Sequence, residues 1–452
     1  MADGATTSFI VLGGGFRGLV AAYLLAKDGH RVTLLERGNR LGGVLAGADW
    51  DGMPLDLGCH LFDNTDAAST AFFFEMAGGA DRFHAVETRY ANLYQGRLAR
   101  GMAVPDLSGQ DDARIAAHLF DLLGAAAAPD PAPRDARTAL AARYGGSLAA
   151  ELAPMLAKMY ATLPDALAPE TLDASVFQRV RCVDDGRGAV LKQIPDLDAR
   201  LAVSSAAAPA QFYPAAQPDL ARNFYPKAGG MKGFVDHVIA RLTDLGVTLC
   251  VGTGPIAISG ADIRAEDGTT WTADRIVVTT APAEAERAIL GTNTLTDATH
   301  AVPMVLFYFR VSPDMFTGLH YTHLFDPAQA AFRISAPGLY GRIRSENGHS
   351  YICAECPCRQ DSAIWTDPDG AADQIWGEAR AAGIVAQTAR YTDVKLLKTP
   401  VSYSAPKAGF ARAHAKVRAA IAHDHSRVID LSTLGFSKLS ILSDVKAALG
   451  WT

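Results

Sequence analysis

The residues with the clearest chemical purpose in this chain are three glycines and an acid. Gly13, Gly15 and Gly18 form G-x-G-x-x-G, and Glu36 stands at the end of the next apolar run. In such a turn the first glycine permits the sharp exit from a strand. The second lets a pyrophosphate reach the backbone, and the third lets helix and strand pack closely. The N–H groups heading the next helix lack partners within it and carry the positive end of its dipole, so they suit phosphate. Phe16 and Arg17 stand inside the same turn. Glu36 is placed to accept hydrogen bonds from a ribose, and its charge would repel a 2′-phosphate, which disfavours NADP. These residue types describe a dinucleotide site. The competing reading is a glycine-rich turn in an ordinary βαβ unit.

Holding them in place requires strand, helix and strand in that order. Residues 9–12 are an apolar run too short for a helix and rich in strand formers. The spacing of Leu19, Ala22, Tyr23 and Ala26 predicts a helix over 18–27. Asp28-Gly29-His30 breaks it, and residues 31–35 read as the second strand.

The residues just after the acid separate FAD from NAD. Glu36 and Arg37 lead to Arg40, Gly42 and Gly43, which complete E-x-x-x-R-x-G-G. This resembles the second fingerprint of the flavin-dependent amine oxidase and protoporphyrinogen oxidase superfamily. The resemblance implies FAD, with Arg40 and the glycine pair beside its phosphates and ribityl chain. Next, Leu55-Asp56-Leu57-Gly58-Cys59-His60-Leu61-Phe62 resembles the D-x-G-x-H-x-F segment of UDP-galactopyranose mutases and related flavoproteins of polysaccharide biosynthesis. There the glycine and histidine lie against the flavin ring. From the residues themselves, Gly58 permits close backbone approach. His60 suits donation to a ring or stacking on it, the alternative being a buried histidine bonded to backbone.

The remainder of the chain frames these motifs. At 452 residues, two domains are expected. Apolar residues make up 49% and charged residues 20%, and the net charge of −6 argues against a general nucleic-acid binder. Residues 1–8 show no signal-peptide pattern, no apolar run is long enough for a bilayer, and six cysteines do not suggest a disulfide framework. A soluble cytoplasmic protein is the expectation.

Residues 90–105 predict a hairpin turning at Gln95-Gly96, residues 111–123 an amphipathic helix, and 125–133 an Ala/Pro linker. Residues 139–181 read as helical. In them Tyr144-Gly145 and Lys158-Met159-Tyr160 resemble R-Y-G and K-V-W segments of the mutase-like proteins, and Arg179 and Arg181 are candidate anion binders. Residues 224–231 resemble the family's Y-P-K-G-G-M return to the flavin domain, ahead of a helix over 232–245. Residues 247–250 read as a strand. Pro255 and Ile256 open a segment matching the V-x-x-I element that contacts adenine through its backbone; Pro255 has no N–H, so carbonyls would serve. Residues 275–282 read as a buried strand and a turn that brings Thr280 beside the dinucleotide.

Strand character at 305–311, 320–325, 331–335 and 349–356 predicts an antiparallel sheet flooring a substrate domain. There Phe332-Arg333-Ile334-Ser335 resembles F-Y-R-x-S, whose arginine faces substrate. Arg333 suits bidentate binding of phosphate or carboxylate, or an ion pair with Glu355. Cys353, Cys356 and Cys358 lack a fourth ligand, and two of them would face opposite ways on one strand, so no metal is expected. Residues 434–442 resemble the closing G-L-F-K-Y-N-N-M-D segment, which implies Ser440, Ile441 and Leu442 at the flavin and a helix over 443–449 aimed at its ring. Leu431-Ser432-Thr433 stands where that family carries G-R or G-D.

The fold expected is α/β: a Rossmann-type FAD-binding domain (1–95, 222–300, 410–452) and a substrate domain of antiparallel sheet plus helices (96–221, 301–409). The function expected is an FAD-dependent oxidoreductase removing hydride from a C–H next to nitrogen or oxygen of a small molecule, a sugar or amine of polysaccharide biosynthesis. His60 is the leading candidate at the reacting centre and Arg333 the candidate substrate anchor. The alternatives are a non-redox mutase using reduced flavin, and a binding protein without flavin. No nucleic-acid partner and no membrane span are expected.

Overall fold

The computed structural model describes residues 6–127, 132–173, 175–208, 215–254, 256–260, 262–434 and 440–451. The opening unit is β1 (Ser8–Leu12), α1 (Phe16–Lys27) and β2 (Arg31–Leu35). It sits in a five-stranded parallel sheet whose order is Thr248–Cys250, β2, β1, Arg275–Val278, Val428–Asp430. Parallel strands at the centre of a sheet are covered on both faces, which is why the β1 run is almost wholly apolar. Side chains alternate between two cores. Phe9, Val11, Val32, Leu34 and Val277 pack on the α1 side, while Ile10, Leu12, Leu35, Ile276 and Val278 pack on the other with Phe410 and Ile421.

α1 starts at Phe16, two residues before the expected Gly18. Gly15 is its cap, and Gly18 lies within the first turn, where helix and strand exit touch. The later helix likewise begins at Gly230 rather than 232, because Gly229 and Gly230 adopt left-handed backbone that turns the chain directly into it.

The second sheet has seven strands, in the order Asp393–Pro406, Thr299–Val311, Ser350–Pro357, Arg333–Ser335, Tyr321–Leu324, Tyr90–Tyr94, Arg97–Arg100. All neighbours are antiparallel except Tyr321–Leu324 with Tyr90–Tyr94, which run parallel. The hairpin turns where expected, at Gln95 (φ +48°) and Gly96 (φ +75°). It joins this sheet, so the expected boundary at residues 95/96 falls inside a paired hairpin.

The register divides the sheet into two unlike faces. One carries Ala91, Leu93, Val305, Phe307, Ile334, Ile352 and Ala354, packed on Ile375 and Trp376 of the helix Pro368–Ala381. The other carries Tyr90, Tyr321, His323, Arg333, Cys353, Glu355 and Tyr308 at paired positions. Cys353 and Tyr308 belong to the core of the parallel-sheet lobe, so this polar and aromatic face looks toward the glycine turn's side of the molecule. Cys353 and Cys356 do face opposite ways, into different cores.

The helices Asp112–Ala127, Ala136–Tyr144 and Gly146–Tyr160 form a separate cluster. Part of the expected linker, 128–131, lies outside the described residues. Beyond Tyr160 the expected helical run gives way to short 3-10 turns, two of which start at Pro164 and Pro169, where proline cannot continue a helix. Among the described residues no helix is long and apolar enough to cross a membrane.

Candidate functional site

The glycine turn is built by close contacts that leave one side open. Gly13 has φ +98°, and a Cβ there would lie 2.9 Å from Thr279 Oγ1. That hydroxyl donates to the Leu12 and Gly13 carbonyls at 2.8 and 3.0 Å. A Cβ on Gly18 would stand 1.8 Å from the Gly13 carbonyl oxygen, so only glycine lets the helix sit there. Gly14 occupies a variable position of the motif yet is as crowded, with Leu41 Cδ2 2.3 Å from its virtual Cβ. Its one signal in sequence is the run of three consecutive glycines. Gly15 differs from all three: nothing lies within 4 Å of its virtual Cβ, and its φ of −68° suits any residue. The N-terminus of α1 carries no side-chain cap. An open, uncapped helix start is where a phosphate fits.

Glu36 is held by the turn it serves. Oε2 accepts from the Gly14 N–H at 2.6 Å, and Oε1 from the Gly38 N–H at 2.7 Å. A carboxylate oxygen accepts two bonds, so each retains capacity for a ribose hydroxyl. Gly42 donates to the Gly14 carbonyl at 2.7 Å, and a Cβ on Gly43 would lie 3.2 Å from Gly15 Cα. The second fingerprint thus packs directly on the first. Its arginines are engaged: Arg40 Nη2 donates to the Gly47 carbonyl at 2.7 Å, and Arg37 pairs with Glu284 at 2.6 Å. The Phe16 side chain lies in the core against Phe62, Phe73 and Phe234.

A cleft of about 100 Å³ opens beside Gly13 and Glu36, lined also by Thr253, Ile256, Thr280, Glu284 and Arg287. Small-molecule pockets span roughly 300–1,000 Å³, so this cleft suits one end of a dinucleotide, not a whole ligand. Ile256 and Thr280 were expected here; Pro255 lies outside the described residues. Thr253, Glu284 and Arg287 carry no local signal in sequence, since they come from other loops.

The C-terminal helix, Ile441–Leu449, meets α1 at its first turn. Asp444 pairs with Arg17 at 3.3 Å and accepts from Ser440 Oγ at 3.0 Å. Two helix starts are therefore tied together beside the glycine turn. Ile441 and Leu442 are buried in the same core as Phe16. Residues 435–439 lie outside the described residues.

Where the two lobes meet, the central group is Asp56, to which the D-x-G-x-H-x-F resemblance gives no role. It is 1% exposed. Oδ2 accepts from Tyr225 Oη at 2.8 Å, and Oδ1 accepts from the Met231 N–H at 3.1 Å, at the start of the Gly230–Asp244 helix. From the other lobe, Tyr308 Oη donates to the Asp56 carbonyl at 2.7 Å. The Asp56 N–H donates to Tyr351 Oη at 3.2 Å. Burial pushes the Tyr225, Tyr308 and Tyr351 phenols well above their ordinary pKa, so they stay protonated donors.

The neighbouring loop holds His60 and faces Arg333, on the strand Arg333–Ser335 of the second sheet. Gly58 has φ +103°, and a Cβ there would lie 2.9 Å from Glu355 Oε2. The Cys59 N–H donates to Glu355 Oε1 at 3.1 Å. His60 Nε2 lies 3.1 Å from the Leu57 carbonyl, the backbone-bonded arrangement. Arg333 adopts the ion pair: its Nε and Nη2 reach the two Glu355 oxygens at 2.6 and 2.7 Å. The Arg333 side chain is 28% exposed against 9% for Glu355. Burial opposes its charge, yet the adjacent Glu355 carboxylate holds the guanidinium above its ordinary pKa.

The anion-binding expectation for Arg179 and Arg181 is corrected. Arg181 is committed to Asp106 and Asp185, both at 2.9 Å, and Arg179 donates to the Leu201 carbonyl, so neither is an open anion site. Lys158 donates to the Leu324 and Asp326 carbonyls at 2.7 and 2.9 Å, tying a helix to the sheet; burial brings its amine down to about 8.

Against known proteins, residues 11–75 match the family described as NAD(P)-binding Rossmann-like domain. Over 58 residues the chain is 47% identical to the coproporphyrinogen III oxidase of Mycobacterium leprae, a match covering 12% of this chain and 13% of that protein. The likeness in structure runs much further. A crystal structure of reduced UDP-galactopyranose mutase superposes with a TM-score of 0.73 at 15% identity, covering 99% of this chain and 94% of the other. A structure described as a putative protoporphyrinogen oxidase from Exiguobacterium sp. 255-15 gives 0.67 at 14% identity, covering 99% of each chain. Over 99% of its length the chain therefore shares the fold of these two solved structures.

Proposed function

We propose that this protein is an FAD-dependent oxidoreductase acting on a small molecule, a sugar or amine of polysaccharide biosynthesis. The observation that carries this reading is the open side of Gly15, above an uncapped helix start, with Glu36 and the Gly42-Gly43 pair packed around it. In it the turn shaped by Gly13 and Gly18 holds the pyrophosphate at Gly15, Glu36 holds the ribose, and the cleft at Ile256 and Thr280 takes the adenine end. Bound FAD supplies a hydride acceptor. The chain's own residues bind, orient and exclude water. Gly58 brings backbone close to the reacting centre, the half-buried His60 stands two residues on, and Arg333 presents its exposed part to substrate.

A second reading, a non-redox mutase that works with reduced flavin, is favoured by the likeness to UDP-galactopyranose mutase. The test is the visible spectrum of the purified protein, then anaerobic addition of amines and nucleotide-sugars. Flavin bands that bleach with an amine or sugar, with stoichiometric oxidised product, support the oxidoreductase. Turnover only after prior reduction, with no net oxidation, supports the mutase. A colourless protein that takes up no added FAD contradicts both.

A further inference from the structure

One carboxylate joins Arg333 to the loop that carries His60, and it stands outside every motif. Glu355 lies on the strand Ser350–Pro357, paired in register with Arg333. Oε1 accepts from the Cys59 N–H and from Arg333 Nε, and Oε2 accepts from Arg333 Nη2. The Gly58 backbone presses against the same carboxylate, so close that no side chain fits between. Tyr340 Oη, 3.8 Å from Cys59 Sγ, steadies the loop from the other side.

We propose that Glu355 is the positioning residue of this site: it clamps the Gly58–His60 loop of one lobe to the sheet of the other and sets the direction of Arg333. Its action is on geometry, with no contact to reacting atoms. A carboxylate is needed because all three groups aimed at it are donors, two of them on a cation. A glutamine has one acceptor oxygen and would turn its own N–H toward either Arg333 Nη2 or the pair Cys59 N–H and Arg333 Nε, so the three bonds cannot all survive. The charge matters equally, since Arg333 would lose its counter-ion in a largely buried place.

The consequence for catalysis rests on the flavin reading above, whereas the clamp itself does not, and the experiment separates them. Glu355→Gln is compared with the wild type and with Asp106→Asn, which removes a buried carboxylate paired with Arg181 beside the helical cluster. The first readout is alkylation of the half-buried Cys59 by iodoacetamide, with peptide mass spectrometry and no added FAD. Release of the loop in Glu355→Gln is expected to speed labelling about tenfold, the equivalent of one lost hydrogen bond to a charged group. Asp106→Asn is expected to lower Tm and leave Cys59 labelling unchanged. The second readout is FAD titration: Glu355→Gln is expected to shift the visible flavin bands and weaken FAD about tenfold. Labelling of Cys59 at the wild-type rate in Glu355→Gln overturns the clamp, as does equal acceleration in both variants. A wild type that takes up no FAD sinks the flavin reading, while Cys59 labelling still decides this one.

Discussion

Gly15 and Gly18 are both glycines of one motif, yet they answer to different forces. Gly18 is required by the fold, because a methyl group there would overlap the Gly13 carbonyl. Gly18→Ala is expected to cost about 3 kcal/mol by overpacking, read as a lower denaturation midpoint without any ligand. Gly15 has room and an ordinary φ, so Gly15→Ala is expected to leave the stability of the empty protein within about 0.5 kcal/mol. The acid is constrained by both demands. Glu36→Ala strips the Gly14 and Gly38 N–H groups of their acceptor and is expected to cost about 1–3 kcal/mol and to abolish FAD uptake, checked by melting and by spectroscopy. Such local demands are legible in sequence, since steric need and residue type coincide at each position. Glu355 stands out in the sequence only as a salt-bridge partner for Arg333. Its bond to Cys59 spans 296 residues, and no spacing announces it.

The strands of the second sheet are visible in the sequence as alternating runs, but their order is not. A strand's neighbours depend on which faces can be covered, and a local pattern says nothing of that. Asp393–Pro406 escapes notice because most of it is half-buried at the edge and carries prolines, as edge strands tolerate. The parallel junction between Tyr321–Leu324 and Tyr90–Tyr94 brings in a hairpin more than two hundred residues away in sequence. At that junction His323 is buried among Phe325, Phe332 and Tyr321, and burial pulls its imidazole down to about 3. The unfolded chain protonates His323 near pH 6.5 and the folded one near 3. Its contribution is therefore intact above 6.5 and is lost as pH falls from 6.5 toward 3. His323→Phe is expected to flatten the acid side of the stability profile by a few kcal/mol relative to wild type, measured by urea denaturation from pH 7 to 4.

At the scale of the molecule, two lobes must behave as one. Asp56 accepts bonds from Tyr225 and Met231 on one side and exchanges bonds with Tyr308 and Tyr351 on the other, all in buried surroundings. Tyr351 reaches the same turn through the Pro54 carbonyl. Asp56→Ala leaves a buried phenol and a buried N–H without partners, at a cost of about 3 kcal/mol. Calorimetry is expected to show a single transition at a lower temperature for this variant, because the Tyr308 and Tyr351 bonds across the seam are made to the Asp56 backbone, which alanine keeps. The likeness of fold to the two solved structures extends over 99% of this chain at 14–15% identity, and a shared fold does not fix a substrate or a reaction. The central claim, that the opening turn grips a dinucleotide at Gly15, has a direct test in calorimetric titration of FAD into the wild type and Gly15→Ala. The account predicts stoichiometric binding by the wild type and a loss of about a hundredfold or more in a variant that melts at the same temperature when empty. Equal FAD affinity in the two proteins would contradict it.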